Sequence, residues 1–284
     1  MNTAIQTHDF GSTGRKVTRV GLGGEGVLRT YGKTGDAEAV IREAIARGIN
    51  YFDSARVYSD SEVYYGGIWE QAPDTRAAVF QASKSASRDR EGAKRDLEET
   101  LNRLKTDHLD LWQIHDVRTQ ADLTTISGPG GALEAFREAR DNGRVRHIGV
   151  TGHHDPDILA QAVAEWPVDA VMLPVNPVEG LIGGFLTRTL PAAKAKGIAV
   201  IGMKILGAGN YVVPRLGVTA DLLIRYALEQ EISVAIVGCS TPEEVRTLAE
   251  AGISGAPLSD AERDELLAKF EPNAPKLAYY RGVV

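Results

Sequence analysis

A chain of 284 residues with 43% hydrophobic and 25% charged residues has ordinary globular composition and can bury a sizeable core. Its formal net charge of -6 and the lack of any basic run exclude a surface built to neutralise nucleic-acid phosphates. A single cysteine, Cys239, excludes an internal disulfide and a cysteine-rich zinc site, and the start of the chain has neither a secretory signal nor an apolar run of roughly 18 residues, so a soluble cytoplasmic protein is expected.

In chain order, the turn-rich quartet Gly11 to Gly14 between His8 to Phe10 and Lys16 to Thr18 predicts a small hairpin able to plug a barrel floor. Apolar runs then predict strands at 17–23, 50–53, 78–84, 109–115, 145–151, 169–175, 198–203 and 234–238. Helical periodicity follows each, at 36–47, 61–71, 90–104, 131–141, 155–165, 187–196, 219–230 and 242–251. Asp155-Pro156 and Thr241-Pro242-Glu243-Glu244 mark helix starts, while Pro191 argues that the sixth helix begins later than its pattern. Eight strand-helix units predict an α/β fold, a closed (β/α)8 barrel spanning 1–284 as a single domain. Ser259 to Glu262 has the spacing of a capping box and opens an extra helix at 260–270, and 271–284 reads as a docked tail.

Parallel strands bring their carboxyl ends to one rim, where barrels of this kind carry their chemistry. The strand at 50–53 ends on Asp53 with Tyr58 five residues later; the next two end on Lys84 and His115. An ammonium beside a phenol lowers its pKa, so Lys84 is expected to activate Tyr58 as a proton donor while Asp53 holds Lys84 and His115 orients a carbonyl oxygen. Individually, Asp53 and Lys84 read as an ordinary ion pair, His115 as a buried histidine and Tyr58 as a surface aromatic; together in this order they read as a catalytic set. Gly21 to Gly26 satisfies the dinucleotide glycine pattern, but no helix opens there, so it reads as a barrel-mouth loop. His153-His154-Asp155 is not taken as a metal site, and Cys239 reads as a small buried residue.

Gly48 to Ala55, with Tyr58, Ser61-Glu62, Lys84 and His115, resembles the aldo-keto reductase family over nearly the whole chain. The resemblance implies a barrel that transfers hydride between a nicotinamide cofactor and an aldehyde, ketone or alcohol, with Asp53, Tyr58, Lys84 and His115 catalytic. It also implies cofactor contacts from Gly23, Gly24, Thr151, Gly152, Met203, Lys204 and Leu206, with NADP(H) expected and NAD(H) the alternative. Departures from the family are Thr151-Gly152 for its Ser-Asn, Met172 for its glutamine and Met203 for its stacking aromatic. Asn176 or His153 would then take over contacts to the nicotinamide amide.

Phosphate is expected at the loops after strands seven and eight, with Gly207 to Gly209, Gly238, Ser240 and Thr241. Glu244 either repels a ribose phosphate, favouring NAD(H), or completes the capping box, and Arg246 is the nearby cation for NADP(H). The expected partner is a small carbonyl compound or alcohol, with neither nucleic acid nor membrane; substrate identity and oligomeric state stay open. Two other functions are weighed: a lyase forming a Schiff base on Lys84 or Lys204, and a non-catalytic nicotinamide sensor or interaction subunit.

Overall fold

In the computed structural model, which describes residues 4–281, the chain opens with an antiparallel hairpin of β1 (Thr7–Asp9) and β2 (Lys16–Thr18), His8 facing Val17. Gly11, at φ 55°, seats this hairpin on the barrel: a Cβ there would lie 2.5 Å from the Ala199 backbone nitrogen. The strand expected at 17–23 is thereby divided. Lys16–Thr18 pairs within the hairpin, and β3 starts only at Val20 and runs to Gly26. An apolar run reports burial but not which neighbour it pairs with, so the break between the two was not visible locally.

β3 is followed by β4 (Tyr51–Asp53), β5 (Phe80–Ser85), β6 (Leu109–Ile114), β7 (Val145–Thr151), β8 (Ala170–Pro174), β9 (Ala199–Met203) and β10 (Val234–Cys239). They form a closed parallel barrel in which β10 pairs with both β9 and β3, the expected (β/α)8 architecture. Covered on both faces, the strands read as nearly continuous apolar runs.

Alternation along each strand divides the core into two layers. Tyr51 points into the barrel, where it packs with Phe80, Leu111, Met172 and Ile201, and with Phe10 and Val17 of the hairpin. Phe10 lies 4.8 Å from the Phe80 ring centroid, so the hairpin closes the floor as expected. Phe52 points outward against the helices, edge-on to Trp69 at 5.5 Å, while Trp112 stacks on Phe136 at 3.6 Å.

Most helices lie where periodicity put them, including Ser61–Gln71 and Arg90–Leu104. The sixth is shorter, Leu190–Ala195, with Pro191 in its first turn and a wide five-residue turn, Phe185–Thr189, before it. Short helices at Pro73–Ala78, Gln120–Ser127, Pro177–Ile182 and Ala274–Leu277 stand where no helix was expected. Asp260–Phe270 carries the expected capping box between Ser259 and Glu262. The tail docks beyond it: Tyr280 Oη donates to Glu179 Oε1 at 2.7 Å and Arg281 Nε to the same oxygen at 3.1 Å. Among the described residues no helix is long and apolar enough to cross a membrane.

Candidate active site

Asp53 closes β4, Lys84 lies in β5, and His115 follows the last residue of β6, so parallel pairing brings all three to one rim. Lys84 Nζ donates to Asp53 Oδ2 at 2.5 Å and to the Ser54 carbonyl at 2.7 Å. Gln113 Nε2, two residues before His115 and on the same side of the strand, donates to Asp53 Oδ1 at 3.3 Å. Asp53 and Lys84 are each 1% exposed, so the charge of one is stable in the core only because of the other.

Tyr58 reaches this pair through a tight turn after β4. Its N–H donates to the Ala55 carbonyl at 2.9 Å, its own carbonyl accepts from Ser61 N at 2.8 Å, and Ser54 Oγ donates to Ser61 Oγ at 2.9 Å. Gly24 makes the space: a Cβ there would stand 2.8 Å from the Asp53 carbonyl oxygen and 2.9 Å from the Tyr58 ring. The ring lies with its centroid 4.8 Å from Lys84 Nζ, 4.8 Å from the Arg29 guanidinium carbon and 5.7 Å from the His115 ring, edge-on to the last. Glu62 anchors the following helix from beneath, accepting from Ser83 Oγ at 2.7 Å and Thr100 Oγ1 at 2.8 Å.

The phenol of Tyr58 lies above its ordinary pKa, raised by burial first and then by the Asp53 and Glu25 carboxylates, with Arg29 pulling the other way. The lowering expected from Lys84 is therefore not found; Asp53 offsets the ammonium at 2.5 Å. Tyr58 is a neutral hydrogen-bond donor across the physiological range. Burial, and then the Lys84 charge, push the His115 imidazole down to about 3, so it is neutral as well. Its Nδ1 is buried without a hydrogen-bond partner. Burial pushes the Asp53 carboxyl up, and the Lys84 ammonium and Gln113 pull against it.

A cavity of about 1060 Å³ opens beside these groups, and Asp53, Tyr58, Lys84 and His115 all line it. Of the expected cofactor residues, Gly23, Gly24, Thr151, Met203, Lys204, Leu206, Gly238, Ser240 and Glu244 line the same space, as do Met172 and His153. Gly152, Asn176 and Thr241 do not. Gly152 is backed by the Val117 carbonyl and the Leu159 side chain. Asn176 is fully buried; its Nδ2 donates to the Lys204 carbonyl at 3.0 Å and its Oδ1 accepts from Glu179 N at 3.1 Å, capping a helix. Thr241 is likewise an N-cap, accepting from Glu244 N at 3.3 Å.

Glu244 holds its own helix start, accepting from Ser240 N at 2.6 Å, while also reaching the cavity wall. Arg246 pairs with Glu243 at 2.6 Å and Glu43 at 3.4 Å. Residues that sequence reasoning passed over are Glu25, Arg29, Arg88, Asp116 and Arg118, all on the cavity wall. Asp116 and Arg118 had one available signal, their place directly after a strand-end histidine.

The donor set suits a nicotinamide dinucleotide. Met172, Met203 and Ile236 form an apolar wall, Gly23 and Gly238 approach without side chains, and the half-buried Lys204, and Ser240 just before helix Pro242–Ser254, line the same cavity.

The model of the aldo/keto reductase family matches residues 19–212. The L-galactose dehydrogenase of Arabidopsis thaliana is 29% identical over 219 residues, covering 73% of this chain and 67% of that protein. A probable aldo-keto reductase of Glycine max is 26% identical over 225 residues, and the match covers 73% of this chain but only 61% of that relative. Among solved structures, an aldo-keto reductase from Bacillus halodurans in its holo form superposes with a TM-score of 0.77 at 18% identity, covering 93% of this chain and 96% of that one, a likeness of fold.

Proposed function

The chain belongs to the aldo-keto reductase family, and from that premise we propose that it interconverts a small aldehyde or ketone and its alcohol, with NAD(H) or NADP(H) as cofactor and Tyr58 as general acid and base. The bound nicotinamide would supply or accept the hydride. Met172 and Met203 would flank its ring, and Lys204, Ser240 and the start of helix Pro242–Ser254 would meet its phosphates.

In the reducing direction neutral Tyr58 donates its Oη proton to the carbonyl oxygen as negative charge develops there. The phenolate left behind is stabilised by the Arg29 guanidinium, 4.8 Å from the ring centroid; the Lys84 ammonium lies equally near, with its charge offset by Asp53. Asp53 keeps Lys84 in place, and neutral His115 holds the carbonyl oxygen in line by a hydrogen bond. The observation that carries this reading is the convergence of the Tyr58 ring, the Lys84 ammonium and the His115 imidazole on one cavity wall. Replacing Tyr58 by Phe is expected to remove carbonyl reduction while fluorescence titration still detects cofactor binding; undiminished turnover would overturn the assignment.

Glu244 bears on the choice of cofactor. Arg246 is held by two glutamates, and the charged side chain that this helix presents to the cavity is the Glu244 carboxylate, which supports NAD(H). Glu244→Gln is expected to raise kcat/KM with NADPH relative to NADH, and a strong native preference for NADPH would remove that role. One observation also keeps a lyase in view: burial lowers the pKa of the Lys204 amine, which lines the cavity. Borohydride trapping of a ketone on Lys204 without nicotinamide would favour that reaction, and tight nicotinamide binding without turnover of any carbonyl would favour a sensor.

A further inference from the structure

An imidazole that works on a substrate is ordinarily aimed by a hydrogen bond on its second nitrogen. In His115 that handle is not used by the protein: among the described residues Nδ1 is buried without a partner. The aim of the ring therefore comes from its packing and its backbone. His115 N donates to the Ser85 carbonyl at 2.9 Å, and the next residue turns sharply, with Asp116 at φ 58°. A residue with a side chain holds that left-handed conformation only where its surroundings fix it.

The carbonyls of His115 and Asp116 lie beyond the β6–β7 ladder, whose last pair is Ile114 and Val150. Arg88 takes both of them. Its Nη1 donates to the His115 carbonyl and its Nη2 to the Asp116 carbonyl, each at 2.7 Å. From the other side, Asp116 N donates to Thr151 Oγ1 and Val117 N to the Thr151 carbonyl, both at 2.8 Å. The corner is thus held between two neighbouring strand ends.

Arg88 is itself fixed. Its Nε donates to Asp122 Oδ1 at 2.8 Å, and Asp122 Oδ2 accepts from Arg118 N at 2.9 Å and Thr119 N at 3.1 Å, at the start of helix Gln120–Ser127. Nη1 also reaches the Ala86 carbonyl at 3.3 Å, and the Arg88 carbonyl accepts from Ala132 N at 2.8 Å. Four of the five guanidinium N–H groups are so engaged, and although Arg88 borders the cavity its donors are committed to the wall. A lysine would keep the charge but not the planar fork that meets two carbonyls and a carboxylate at once.

We propose that Arg88 is a positioning residue for carbonyl reduction: by clamping the consecutive carbonyls of His115 and Asp116 it sets where the imidazole meets the substrate oxygen. The proposal rests on the oxidoreductase reading above and adds a group that does not touch the reacting atoms. A small displacement of a hydrogen-bonding group at the reacting oxygen acts on the chemical step. Lys204 and Ser240, offered to the cofactor phosphates, stand on other loops and are left in place.

The test compares Arg88→Lys and Arg88→Ala with the native protein, using whichever of propionaldehyde, benzaldehyde and glyceraldehyde the native protein reduces fastest. Both variants are expected to lower kcat by about ten- to a hundredfold, with KM and nicotinamide affinity little changed. Arg88→Lys keeps a cation beside Asp122, so it serves as the folded variant if Arg88→Ala is unstable. Millimolar guanidinium is expected to restore part of kcat in Arg88→Ala and none in Arg88→Lys, a recovery that loss of folded protein does not give. NMR of the His115 Cε1–H signal reads the clamp without turnover: the signal is expected to move in both variants and to return with guanidinium in Arg88→Ala. Unchanged kcat, a rise in KM alone, or an unmoved His115 signal overturns the clamp and leaves the oxidoreductase reading intact. Failure of the native protein to reduce any of the three aldehydes counts against the oxidoreductase reading, while a His115 signal that moves in the variants still supports the clamp.

Discussion

Two carboxylates, each 1% exposed, sit at opposite ends of the barrel, and each is clamped by a buried cation. At the mouth, Asp53 is held by Lys84 at 2.5 Å and by Gln113 at 3.3 Å. At the floor, Asp110 accepts from Arg76 Nη1 and from Gln81 N, both at 3.0 Å, with Arg15 and Arg146 at 3.7 and 3.5 Å. The floor site is the more heavily charged, yet Phe10 and the hairpin close the barrel interior at that end. At the mouth Asp53 is paired with Lys84, and that cation also lies against a tyrosine ring on the wall of a large cavity. Buried charge pairing therefore does not mark chemistry in this molecule. What separates the two ends is the Tyr58 ring and the cavity beside the pair.

The largest expected effect tests the mouth alone. Tyr58→Phe should lower kcat for carbonyl reduction by roughly 10² to 10⁴, the usual worth of a positioned general acid, in a steady-state assay. A comparable loss from any floor substitution would remove the distinction between the ends. Next come paired substitutions that strand a buried carboxylate. Lys84→Met and Arg76→Met should each destabilise the fold by about 3–5 kcal/mol in denaturant titration. Only the first should also abolish turnover in the protein that remains folded.

The pH dependence sharpens the same contrast. His115 is held at about 3 against an ordinary 6.5, so below pH 6.5 the unfolded chain binds the proton more readily than the folded one. Its contribution to stability is full above pH 6.5 and is lost progressively as pH falls toward 3, by a few kcal/mol in all. Thermal melts across that window should show a shallower acid decline for His115→Gln than for the native protein. The smallest effect belongs to the outer arginines of the floor. Arg15 and Arg146 side chains are 38% and 45% exposed, and replacing either with Gln should cost less than about 1 kcal/mol by chemical denaturation.

The barrel was legible because each strand and each helix announces itself over a short window. Tyr51, Phe52 and Asp53 alternate between interior, helix layer and rim as any strand must. What the window missed is equally physical. Val17-Thr18 and Val20 to Gly23 read as one run because both stretches are buried, and only the pairing of His8 with Val17 separates them. Glu244 was expected either to meet the cofactor or to complete a capping box; it accepts from Ser240 N, one residue before the N-cap Thr241, and its side chain also lines the cavity. Tyr58 was expected to be made more acidic by Lys84, whereas burial and two carboxylates act the other way, a balance set by groups from separate elements.

By itself the sequence determined the order of eight strand-helix units, the hairpin before them, and the acid, phenol, amine and imidazole that follow the strands. Those features depend on periodicity, turn chemistry and strand ends, all of which act over a few residues. Only the tertiary structure decided where hydrogen bonds across long separations go. Asn176, expected at the nicotinamide, faces the Lys204 carbonyl and Tyr280, 104 residues away in the chain. His153 Nδ1 lies 2.9 Å from the Tyr280 carbonyl oxygen, 127 residues distant, and its Nε2 lies 3.2 Å from Asp116 Oδ1. A donor and an acceptor that far apart in sequence leave no local pattern, and their geometry exists only once the chain has closed on itself.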